Sequence, residues 1–115
     1  MANFNPQRTN PATLGYIKPT AGTPLQLTAN FADLNNTQFQ SLSIQAHPSN
    51  GAGLIYVLST KSAADTANGT NVIAVLSAGQ SLPLSGLALG GLNPSQFWID
   101  TSLTGSIAIP VVFGA

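Results

Sequence analysis

The stretch Ser41-Leu42-Ser43-Ile44-Gln45-Ala46, which runs into His47-Pro48-Ser49-Asn50-Gly51, decides the fold class. Leu42, Ile44 and Ala46 fall on one face of an extended chain, and Ser41, Ser43 and Gln45 on the other, because strand side chains alternate with a period of two. The cluster that follows, with Pro, Asn and Gly within five residues, is a dense turn signal. Beyond it, Gly53-Leu54-Ile55-Tyr56-Val57-Leu58-Ser59 is apolar on both faces, as expected of a strand inside a sandwich.

The same grammar continues in both directions. Upstream, Leu25 and Leu27 alternate with Gln26 and Thr28 in a short strand. Downstream, Lys61 to Asn71 is a polar loop, followed by the strand Asn71 to Leu76 and the turn Ser77-Ala78-Gly79-Gln80. Ser81-Leu82-Pro83-Leu84 holds a proline that donates nothing to a ladder, which places that strand at a sheet edge or interrupts it. Ser85 to Gly91 alternates small residues with Leu87 and Leu89, but its glycines oppose a helix. Asn93 and Pro94 fit the N-cap and first position of one helical turn. Phe97 to Thr101 is a strand, Leu103-Thr104-Gly105 a turn, and Ser106 to Phe113 the last strand. Seven or eight short strands separated by turn chemistry predict an all-β antiparallel sandwich or jelly roll over residues 24–115.

Residues 1–23 read differently. Pro6, Pro11 and Pro19 interrupt them, Asn and Thr surround the prolines, and no period of 2 or 3.6 persists. The expectation is an extended N-terminal arm. Fully stretched, about 20 residues reach about 66–72 Å. Phe4, Leu14, Tyr16 and Ile17 stud the arm with apolar surface that a free linker does not need. They are therefore the candidate partner-binding residues, with Arg8 and Lys18 beside them. The plainer alternative is a tail folded over its own domain.

Composition narrows the function. The 115 residues carry three basic and three acidic side chains, a net charge of zero, one His, no Glu and no Cys. Charged residues make up 5% of the chain, against roughly 25% in an ordinary soluble domain. Capture of nucleic acid or of an anionic membrane needs clustered Lys and Arg, so neither is expected as a partner. Hydrophobic residues reach 43%, enough for a core and too many for intrinsic disorder. The first ten residues have no signal-peptide apolar region, and the longest apolar run, Ile107 to Phe113, is far short of a membrane span. Neutrality removes the repulsion that keeps monomers apart and fits a surface meant to be covered by neighbours.

Chemistry has few tools here. His47 is the only imidazole, and Asp33, Asp65 and Asp100 are the only side-chain carboxylates. A Ser–His–Asp triad can be composed on paper, but His47 stands in a turn before Pro48 and no serine has nucleophile-elbow flanks. Two glycosidase carboxylates would have to come from three Asp. No metal-ligand spacing, calcium loop or phosphate-cradling glycine pattern occurs. Asn35-Asn36-Thr37 and Asn68-Gly69-Thr70 match the glycosylation pattern by chance. The reading is non-enzymatic, with no catalytic residue, metal or cofactor. Trp98, between Phe97 and Ile99, is a candidate interface residue, since aromatics concentrate binding energy.

The series Leu54 to Ser59, a polar loop, Leu76 to Leu84, Phe97-Trp98-Ile99-Asp100 and Ile107 to Val112 resembles small β-sandwich virion proteins of tailed bacteriophages, of the head-decoration or fibre-associated type. The likeness spans roughly residues 38–113. The chain departs from it at Ala78-Gly79-Gln80, where similar modules often have Pro-Gly-Glu. The resemblance implies a capsid decoration or cement protein: a homotrimer on the capsid exterior that clamps the major capsid protein, made in the host cytoplasm during assembly. The alternative it leaves open is a tail- or head-fibre module that recognises host glycans through Trp98, Tyr56 and Asn-rich loops.

Overall fold

A computed structural model describes residues 11–34, 37–60, 69, 71–86 and 91–114. Among them are eight strands: β1 (Pro11–Thr13), β2 (Leu25–Gln26), β3 (Ser41–Ala46), β4 (Ile55–Leu58), β5 (Val72–Leu76), β6 (Ser81–Ser85), β7 (Trp98–Thr101) and β8 (Ala108–Phe113). They form two four-stranded sheets, ordered β1-β8-β3-β6 and β2-β7-β4-β5. Every ladder is antiparallel, and β1 pairs with β8, β2 with β7, β3 with β6 and β4 with β5. This nested pairing is one long hairpin rolled into two layers, the jelly-roll arrangement. The expected all-β sandwich or jelly roll is thus the fold observed, with the larger strand number.

The core fills the space between the sheets. Leu42, Ile44 and Ala46 of β3 point inward as the alternation required, each opposite an inward residue of β8: Val112, Pro110 and Ala108. Ile55 and Val57 of β4, Ile99 of β7 and Leu76 of β5 meet them from the other sheet. β4 lies between β7 and β5, in the interior position that its apolar character predicted. Pro83 does sit on an edge strand, β6, and Asn93 does cap a short 3-10 turn, accepting from the Ser95 N–H at 3.0 Å.

The arm is where the fold departs from expectation. Residues 1–10 lie outside the described residues, Phe4 among them. Residues 11–23 are not a free arm but part of the sandwich. Pro11–Thr13 is the β1 edge of the first sheet, and Ile17 exchanges backbone hydrogen bonds with Ala108, at 2.9 Å in both directions. Leu14 and Ile17 are each 1% exposed within the chain's own core. Burying such a side chain stabilises by roughly 1.5–3 kcal/mol relative to exposure, and β8 would otherwise present an open edge. The chain therefore docks on itself from Pro11 onward.

Pro110 reveals how this docking was fitted. Proline is normally excluded from central strands, yet β8 lies between β1 and β3. The Pro110 position is opposite Ile44, in a pair that exchanges no backbone bonds with β3, so its nitrogen faces the β1 side. There Pro110 accepts from the Leu14 N–H at 3.0 Å but has nothing to return. The Asn30 side chain supplies the missing donor, its Nδ2 reaching the Leu14 carbonyl at 3.4 Å and the Tyr16 carbonyl at 3.1 Å. From Leu14 to Ile17 the chain takes three steps where β8 takes two, from Pro110 to Ala108. The extra residue is a bulge containing Gly15, whose φ of 80° is open to glycine at little cost.

Candidate functional site

The second sheet turns its outer face to solvent, and register fixes what that face carries. Tyr56 of β4 stands between Asp100 of β7 and Val75 of β5, while Leu58 stands opposite Trp98, which in turn pairs with Gln26 of β2. Tyr56 and Trp98 are therefore diagonal neighbours on one face, both half-buried. Trp98 lies outside the core cluster, so its placement is a surface one. Leu58 beside it is fully buried, which shows that the chain covers part of this face itself.

The open part lies toward β5. Ile73 and Val75 are 43% and 48% exposed, on a strand that ends the sheet. Edge strands invite pairing and are normally blunted. β1 starts with Pro11 and leads into the Gly15 bulge, β6 carries Pro83, and β2 is two residues long. β5, Val72-Ile73-Ala74-Val75-Leu76, has no proline, glycine or charge. Of the four sheet edges among the described residues it alone is both long and apolar. The sequence marked this segment as a strand; an all-apolar run does not separate an edge from an interior place like that of β4, and the sheet order supplies the difference.

The opposite end of Tyr56's row is sealed by a polar contact. Asp100, though on the outer face, is 1% exposed, because the turn at Gly22 crosses over it. Its Oδ1 accepts from the Gly22 N–H at 2.9 Å and from the Thr101 N–H at 2.8 Å. A carboxylate satisfied by backbone donors fixes the loop that carries the chain from the first sheet to the second.

His47 has a local task. Its Nδ1 accepts from the Ser49 N–H at 3.0 Å, capping the Pro48–Asn50 turn, and lies 2.8 Å from the Ser49 hydroxyl. Tyr16, 53% exposed, packs against the imidazole in a T-shaped arrangement, the ring centroids 5.6 Å apart. No carboxylate among the described residues bonds His47, and none of them forms a group of three or more potential metal ligands. Asp65 lies outside the described residues, as does most of the Lys61–Asn71 loop.

Of the four arm residues expected to meet a partner, then, Leu14 and Ile17 are committed to the core, Tyr16 remains at the surface, and Phe4 is not described. Sequence reasoning missed a second feature. A groove of about 220 Å³ runs beside β1, lined by Ala12 and Leu14 with Phe31, Asp33, Leu34 and Val112. Phe31 is 42% exposed and held by consecutive turns, its N–H donating to the Thr28 carbonyl and its carbonyl accepting from Leu34. Neither a protein-family model, nor a curated protein, nor a solved structure matches the chain.

Proposed function

We propose that this chain is a structural virion protein of a bacteriophage, a capsid decoration or cement protein that works without chemistry of its own. It sits on the capsid exterior as a homotrimer, after assembly in the host cytoplasm, and clamps neighbouring copies of the major capsid protein. The observation that carries this reading is the apolar β5 edge with Ile73 and Val75 open to solvent, on a block with six charged residues in 115. Such a surface loses little by desolvation and gains by being covered. The rigid two-layer block suits a clamp that must hold its shape under load.

Gold labelling tests it. An antibody raised against the purified chain is applied to virus particles produced from the genome that encodes it. Label spread over the head surface is expected. Particles without label, where the chain is present in the lysate, contradict the proposal. A second reading, a fibre module binding host glycans, is favoured by the diagonal Tyr56–Trp98 pair, since sugars stack on aromatic platforms. Label confined to fibres, with binding on a glycan array, would replace the first reading with the second.

A further inference from the structure

We propose that the groove beside β1 receives the N-terminal segment, residues 1–10, of a second copy of this chain. The inference deepens the assembly reading above and rests on it only for the expectation that copies meet.

The groove itself argues for a peptide. Its volume of about 220 Å³ is below the roughly 300–1,000 Å³ of small-molecule sites and fits one or two side chains. β1 is a terminal strand, bonded to β8 through Ala12 and Leu14, so the N–H and C=O of Thr13 between them are directed away from the sheet. Pro11 and the Gly15 bulge leave Thr13 as the one residue of that edge with both backbone groups to offer, so an extended segment is held there by a single backbone pairing and by an apolar wall alongside, with Phe31 as its exposed aromatic.

The occupant follows from complementarity. Met1–Asn10 contains one charged residue, Arg8, and one aromatic, Phe4. In an extended chain these two share a face, because positions 4, 6 and 8 line up. The groove offers one carboxylate, Asp33, and one exposed aromatic, Phe31. Origin in a second copy follows from the exit of the segment. Asn10 precedes Pro11, which biases it toward extended backbone and against the left-handed dihedrals that a tight reversal onto β1 requires. Ten extended residues reach roughly 33–36 Å, so a segment that leaves across the 24 or 26 Å axes, rather than along the 38 Å one, extends past the sandwich to a neighbour. Where each copy gives its segment to one neighbour and receives one from another, the contact is head-to-tail, the type that closes into rings such as a trimer.

The chain has no native cysteine, so disulfide trapping is clean. In a Phe4→Cys/Phe31→Cys variant, mild oxidation is expected to give covalent multimers on a non-reducing gel, with the 4–31 bridge found by peptide mass spectrometry. Arg8→Asp in that background should slow bridging about two- to fivefold, and adding Asp33→Arg should restore it. Phe4→Ala in the otherwise native chain should raise the dissociation constant of the oligomer about tenfold or more by light scattering. A bridged monomer would place the segment on its own chain and overturn the inference. So would bridging no faster than in a Phe4→Cys/Leu103→Cys control, where the second cysteine is exposed elsewhere. Either result leaves the gold-labelling test of the decoration reading standing on its own.

Discussion

Pro110 and Asn30 make the residue-scale case that the N-terminal strand is an integral part of the sheet. A proline in a central strand is tolerated here because its missing donor faces one carbonyl, that of Leu14, and a side-chain amide from a neighbouring turn takes that place. Asn30→Ala should therefore cost about 1–2 kcal/mol, the usual net worth of two hydrogen bonds, measured by urea denaturation. Ile17→Ala should cost about 2–5 kcal/mol, since the side chain is fully packed between the sheets. A free arm predicts no loss from that substitution, so the same experiment decides between the two placements. Gly86 is the other residue-scale constraint. A Cβ there would meet the backbone of Gly91 at 2.6 Å and of Leu92 at 2.8 Å, so Gly86→Ala should destabilise by about 1–3 kcal/mol.

At the scale of elements, what was legible in the sequence was whatever follows from local periodicity. β3 announced its inward face through Leu42, Ile44 and Ala46, β4 its interior position through apolar residues on both faces, and β6 its edge position through Pro83. β1 was illegible for a physical reason. Three residues that begin with a proline show no alternation, and their pairing with β8 lies about a hundred residues away, so nothing local marks them as strand. The same distance hid the groove: Phe31, Asp33 and Leu34 belong to a short turn, and only the closing of β1 against β8 gives them a facing wall. Trp98 was a candidate interface residue from its place in a strand with Phe97 and Ile99; that Tyr56 lies diagonal to it needed the register of β4 and β7. β5 now carries its own prediction. Val75→Asp replaces a half-exposed strand side chain opposite Tyr56 and should cost about 1 kcal/mol, leaving the chain folded, while abolishing attachment to heads in the labelling experiment.

For the molecule as a whole, the jelly-roll topology and the scarcity of charge act together. Nested pairing of the first strand with the last ties both ends of the described chain into one sheet, so unfolding should be a single cooperative transition in which Leu14 and Val112 lose protection together in hydrogen exchange. The surface offers neighbours uncharged hydrogen-bonding groups and apolar side chains, whose contacts salt does not screen. One ion pair between Arg8 and Asp33 in the groove would alter that little. The most direct measurement is the mass of the purified full-length chain by light scattering, at low salt and again at 1 M sodium chloride. The account predicts a trimer at both. A monomer under both conditions, at any concentration reached, would contradict it.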